Sequence, residues 1–155
     1  FSHVILIFLM FVGGMAGSTA GGIKVSRIAI YIKTTIQEIR VNVSPNRWLP
    51  ILFEGKPISA MLSRQTSVYL ITYAFMFVIF LMITALSAPN FLTAFSAVAA
   101  TFNNIGPGLD MVGPKGNYSN FNNLTKLTLS LAMIMGRLEL FPLLVLFSPR
   151  TWRRG

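Results

Sequence analysis

The chain has 155 residues and a formal net charge of +9, and it is 54% hydrophobic but only 11% charged. Soluble domains carry roughly 25% charged residues, so the deficit excludes an ordinary soluble globule, a disordered chain and a nucleic-acid binder. With no cysteine there is no disulfide, thiolate metal site or cysteine nucleophile.

The first element is Phe1 to Ile23, uncharged but interrupted by Gly13, Gly14, Gly17, Gly21 and Gly22. It lacks an initiator Met and a basic leader, so a signal peptide fits poorly. The chain opens in hydrophobic sequence and reads as a piece of something longer. A P-loop would need Lys directly after Gly22, where Ile23 stands. Two readings of the glycines stay open. Gly13, Gly17 and Gly21 match small-residue helix packing, while so many glycines also cost several kcal/mol of helix propensity (about 1 each), which favours a break. His3 reads as a packed side chain, since it has no partner set for a metal or acid–base site.

Next comes a basic segment with Lys33, Arg40, Arg47, Lys56 and Arg64. No charged residue then occurs until Asp110. Gln65 to Ala88 spans about 36 Å as a helix, enough to cross a hydrocarbon core of about 30 Å. A further span is expected from Leu127 to Ser148, broken only by Arg137 and Glu139 and followed by Arg150, Arg153 and Arg154. The positive-inside rule puts the middle linker and the C-terminus in the cytoplasm and residues 89–126 outside. Trp48 and Trp152 read as interfacial anchors.

Between the spans, Asn90 is a helix N-cap candidate before the apolar run Phe91 to Phe102. That run is about 18 Å long, too short to cross and of re-entrant length. Asn103-Asn-Ile-Gly-Pro-Gly-Leu109 follows. Irregular backbone at membrane depth is tolerated only where protein buries it or water lines it. Gly106 can bare carbonyls and Pro107-Gly108 can turn the chain back, the construction of a cation filter. The alternative is an interfacial helix and a turn outside the membrane, against which the run lacks a polar face.

Arg137 lies deep in the last span, where an arginine costs at least about 2.5–3.5 kcal/mol and faces protein or water. A functional role and a structural ion pair both account for it. Glu139 points to a different side of the helix, and Pro142 marks a kink position. No nucleophile–base pair or metal set is present, so no enzymatic activity is expected.

Three motifs in order, Gly-Gly-Met-Ala-Gly-Ser-Thr-Ala-Gly-Gly-Ile-Lys (13–24), Asn-Asn-Ile-Gly-Pro-Gly-Leu (103–109) and Met-Gly-Arg-Leu-Glu (135–139), resemble the C-terminal part of the membrane, pore-forming subunit of the bacterial Trk/Ktr potassium uptake family. The resemblance covers essentially the whole chain. It implies an all-α membrane protein with potassium-channel-like helix–pore helix–helix repeats, of which this chain would hold about one and a half of four. Residues 1–42 would be the second helix of repeat three, with its Gly-rich intramembrane break, and 43–64 a cytoplasmic linker. Repeat four would be 65–149: helix 65–88, pore helix 91–102, filter 103–108, outer loop 109–123 and helix 124–149, with a cytoplasmic tail at 150–155.

The family's ion-binding carbonyls map by resemblance onto Asn103, Asn104, Ile105 and Gly106. Its intramembrane gate maps onto Gly13, Gly14, Gly17, Ser18, Thr19, Gly21 and Gly22, with Arg137 projecting beneath the filter. The resemblance further implies potassium ion as substrate, no cofactor, and no metal beyond potassium. Implied partners are the lipid bilayer, the missing upstream repeats of the same chain, a cytoplasmic nucleotide-binding regulatory subunit and a second copy in a homodimer. Nucleic acid is not among them. The implied location is the bacterial inner membrane, multi-pass, with the C-terminus cytoplasmic. Competing readings are a broken-helix secondary cation transporter and a non-conducting membrane scaffold subunit.

Overall fold

A computed structural model describes residues 2–12, 23–44, 52–53 and 56–138. In chain order these form α1 (Ser2–Phe11), α2 (Val25–Val43), a short β1 (Leu52–Phe53), β2 (Lys56–Pro57), α3 (Ala60–Ala85), α4 (Phe91–Phe102), one 3-10 turn (Asp110–Val112) and α5 (Asn123–Leu138). β1 and β2 pair antiparallel, Leu52 opposite Pro57 and Phe53 opposite Lys56. At two residues each they add no packing layer to a molecule whose described part is otherwise helical.

Helix α3 starts at Ala60, before the uncharged run begins at Gln65, because Ser59 caps it. The Ser59 hydroxyl accepts the Leu62 N–H at 3.2 Å, satisfying one of the open amides of the first turn. It ends at Ala85 in a turn at Leu86–Ser87 rather than running to Ala88. One stripe of α3 is buried: Thr66, Tyr69, Tyr73, Phe77, Phe80 and Thr84, at helical spacing. Its opposite side is equally apolar, with Ile71, Phe75, Val78 and Met82 exposed. A soluble core helix buries its apolar residues, whereas only 28% of the most apolar window of α3 is buried. Among the described residues, α3 is the helix long and apolar enough to cross a membrane.

Helix α4 is the centre of the described fold, packed against α1, α3 and α5. Nine of its twelve residues are buried, from Thr93 and Ala94 to Thr101 and Phe102. Ala94, Ala97, Ala99 and Ala100 let the neighbouring helices approach closely, so the short helix is enclosed rather than laid on a surface. Phe102 closes the packing at its end, stacked on Tyr73 at 4.6 Å between ring centroids and edge-on to Phe80 at 5.5 Å. At the other end Phe95 meets Phe77 at 5.3 Å and Phe11 of α1 at 6.0 Å.

The Gly-rich run Gly13, Gly14, Gly17, Ser18, Thr19, Gly21 and Gly22 lies outside the described residues, as do Glu139, Pro142 and the C-terminal basic cluster.

Candidate functional site: the turn after α4

The site begins with how α4 is started. Asn90 caps it, its Oδ1 accepting the Thr93 N–H at 2.8 Å. The Asn90 Nδ2 donates to Asp110 at 2.7 Å, and the Thr93 hydroxyl donates to the same carboxylate oxygen at 2.8 Å. One turn further along, Ser96 accepts the Leu109 N–H at 3.0 Å. The segment that leaves the site is thus fastened back along the first half of α4, with a carboxylate at the positive end of the helix.

At the other end the backbone makes an unusual turn. The N–H of Asn103 bonds to the Ala99 carbonyl at 3.1 Å and that of Asn104 to Thr101 at 3.1 Å. The N–H groups of Ile105 and Gly106 both reach the Ala100 carbonyl, at 2.8 and 3.4 Å. Four consecutive amides are therefore turned back onto the end of α4, satisfying its last carbonyls. Since N–H and C=O of a peptide unit point oppositely, the carbonyls of this stretch are turned away from the helix end. Among the described residues, no hydrogen bond is made to the carbonyls of Asn103, Asn104 or Ile105. The bend needs left-handed backbone at Asn104 (φ 55°) and Gly106 (φ 102°), which asparagine and glycine tolerate best.

Side chains hold this turn from three sides. The Asn103 amide is buried, with Nδ2 donating to the Ala99 carbonyl at 2.9 Å and Oδ1 accepting the Tyr73 hydroxyl at 2.7 Å. The Asn104 Nδ2 donates to the Met133 carbonyl of α5 at 3.2 Å. The Tyr118 hydroxyl, from the loop before α5, donates to the Gly106 carbonyl at 2.9 Å. Burial pushes the Tyr118 phenol above its ordinary value, so it is a donor throughout the neutral range. The loop carrying it is anchored by buried Phe121, whose ring lies 6.1 Å from that of Tyr118, and by Lys126 Nζ donating to the Ser119 carbonyl at 2.7 Å.

Arg137 sits in the last turn of α5, its side chain exposed on the surface of this chain. The same turn is seated against the site. A methyl group at Gly136 would overlap the Phe102 carbonyl oxygen and lie 2.7 Å from Asn104 Nδ2. Asn103, Asn104, Ile105 and Gly106 are thus together in one turn, and the α5 turn bearing Arg137 touches it. The expected gating residues of the 13–22 run are outside the described residues. Nothing in the sequence marks Tyr73 or Tyr118 as a contact of this turn, and Gly136 stands in the Met-Gly-Arg-Leu-Glu motif without a role of its own.

Residues 1–154 match the family model described as TrkH, a cation transport protein. The Trk system potassium uptake protein TrkH of Escherichia coli K12 is 36% identical over 99% of this chain. The Trk system potassium uptake protein TrkG of the same strain is 34% identical over 98%. In each case the chain spans 31% of the relative's length. The crystal structure of the potassium transporter TrkH from Vibrio parahaemolyticus is similar over 97% of this chain and 32% of that one, with a TM-score of 0.84 and 36% identity. That match extends the helical architecture described above to a solved protein. The chain belongs to the TrkH family of cation transport proteins.

Proposed function

We propose that this chain is part of a potassium uptake pathway and that the carbonyls of Asn103, Asn104, Ile105 and Gly106 form one side of its ion filter. One observation carries the reading: four successive amides turn back onto the end of α4, leaving the carbonyls of Asn103, Asn104 and Ile105 facing away from it, with that of Gly106 next in line and held by Tyr118. Oriented carbonyls in place of water are what a dehydrating potassium ion requires. The C-terminus of α4, worth roughly half a negative charge, adds to the attraction for a cation. The names of the relatives, potassium uptake proteins, support potassium as the substrate, and no cofactor is called for.

In this reading α3, α4 and the helix beginning at Asn123 are one helix–pore helix–helix repeat, the fourth of four, and residues 1–42 are the end of the third. The chain spans 31% of its relatives' length, so the remaining filter walls come from upstream repeats of the same polypeptide. The enclosure of α4 by three helices supports a pore helix over an interfacial one. The Gly-rich run 13–22 and Arg137 form the barrier beneath the filter. The protein sits multi-pass in a bacterial inner membrane with its C-terminus cytoplasmic, pairs as a homodimer and is regulated by a nucleotide-binding ring subunit at the basic linker.

The deciding experiment is Gly106→Ser in the full-length protein, expressed in a cell deficient in potassium uptake. A serine at φ 102° strains the backbone and redirects the carbonyls, so preference for potassium over sodium should fall. Unchanged preference would remove residues 103–106 from the filter.

A further inference from the structure

We propose that Tyr118 is a positioning residue for the filter: its hydroxyl fixes the direction of the Gly106 carbonyl and thereby tunes which alkali cation the filter prefers. The inference rests on the reading of residues 103–106 as the filter.

Gly106 is weakly held by everything else. Nothing lies within 4 Å of where a Cβ would be, so no neighbouring atom fills that side of it. Its own N–H reaches the Ala100 carbonyl only at 3.4 Å and shares that acceptor with Ile105 at 2.8 Å. A glycine in this state rotates easily about its flanking bonds. The Gly106 carbonyl belongs to the next peptide unit, shared with Pro107, which has no N–H to anchor it; the Tyr118 contact at 2.9 Å is the hydrogen bond that unit makes among the described residues.

Tyr118 in turn is packed against Phe121 and the core on one side and open on another. Its ring is half-buried beside a cavity of about 220 Å³ bounded by Thr101, Lys126, Leu129, Ser130 and Met133. Space on one face lets the ring swing once the hydroxyl is removed. The backbone around it is firm, through Phe121 and through Lys126 on Ser119. The loop thus provides a fixed base, the ring a lever, and the hydroxyl the grip on the carbonyl.

The grip has two effects on an ion. It aims the oxygen, which sets the cavity size, and it occupies one lone pair, which lowers the field strength of the remaining one. Cation selectivity depends on both quantities. Because the phenol is neutral, it does so without placing a positive charge beside the cation path.

The test is Tyr118→Phe in the full-length protein, which keeps the ring and deletes only the hydroxyl. Uptake of potassium, rubidium and sodium is measured in competition in an uptake-deficient cell. Loss of one neutral hydrogen bond predicts a change of about three- to tenfold in the potassium-to-sodium and potassium-to-rubidium ratios. Asn117→Ala in the same loop, which removes only the contact to Ser119, should leave both ratios unaltered. Ratios for Tyr118→Phe equal to those of the unsubstituted protein overturn the proposal. If Tyr118→Phe abolishes uptake, protection of the purified full-length protein from thermal unfolding by potassium against sodium is read instead. A reduced preference there supports the role and a retained one overturns it. Gly106→Ser separates the two levels. If it shifts the ratios and Tyr118→Phe does not, only the role of Tyr118 fails; if neither shifts them, the filter reading fails as well.

Discussion

The hydroxyl of Tyr73, in the middle of α3, donates at 2.7 Å to the buried side chain of Asn103, the first residue beyond α4. The same tyrosine ring stacks on Phe102. One residue therefore ties the longest helix both to the end of the short helix and to the turn that follows. A buried amide that loses its donor is penalised by more than the bond was worth. Tyr73→Phe should lower stability by about 1–3 kcal/mol. Thermal unfolding of the full-length protein in detergent checks it, and an unshifted midpoint would show that Asn103 finds another donor.

Gly136 and Gly106 should fail for different reasons. Alanine at Gly136 collides with the Phe102 carbonyl, so α5 must move off α4, at a cost of about 1–3 kcal/mol. Alanine at Gly106 has open space but the wrong backbone angle, at about 1–2 kcal/mol. The discriminating measurement is a second substitution, to serine, at each position. Serine should be no worse than alanine at 106, where strain decides, and worse at 136, where volume decides.

Asp110 accepts from both Asn90 and Thr93 at the start of α4. Asp110→Ala removes an acceptor for two donors and a negative charge from the positive end of the helix. The expected loss is about 1–2 kcal/mol, comparable to losing a cap. Asp110→Asn should recover part of it, since one amide oxygen still accepts. Unfolding midpoints for both variants equal to that of the unsubstituted protein would show that the carboxylate plays no part there.

For Tyr118, burial raises the pKa above the ordinary 10.0. A folded-state pKa above the unfolded one stabilises fully below the unfolded value, and that contribution is lost as pH rises through the folded value. Stability and ion preference should therefore be insensitive to this group across neutral pH and decline above about 10. Tyr118→Phe should show a smaller alkaline loss than the unsubstituted protein. Parallel stability curves for the two proteins above that pH would contradict the assignment.

Arg137 carries a prediction on transport. If its charge is part of the barrier beneath the filter, Arg137→Ala should raise potassium flux through the intact complex, while Arg137→Lys should keep it low. Flux into vesicles under a potassium gradient measures it. Equal flux in all three proteins would leave Arg137 a structural role only.

The extent to which the sequence foretold the site differs residue by residue. Asn90 was legible as a cap and Phe91–Phe102 as a short helix because both depend on interactions within one turn. Gly106 stands out in the sequence by its permissive backbone, but the turn expected at Pro107-Gly108 already begins at Asn104, whose left-handed backbone is accompanied by a side-chain bond to Met133 of α5. Helix α3 starts at Ala60 and not at Gln65, because absence of charge marks an apolar span, whereas a helix begins at its cap, here Ser59.

By itself, then, the sequence determined that this is a membrane chain with a long apolar span, a half-length helix and a glycine-bearing turn, since hydropathy, length and backbone permissiveness are local properties. Only the tertiary structure decided what holds that turn. Tyr73, Tyr118 and Gly136 reach it from thirty residues before Asn103, twelve beyond Gly106 and the far helix. Such contacts depend on how α3, α4, α5 and the intervening loop are laid against one another. A tyrosine's hydroxyl carries no signal in the sequence of which carbonyl it will meet.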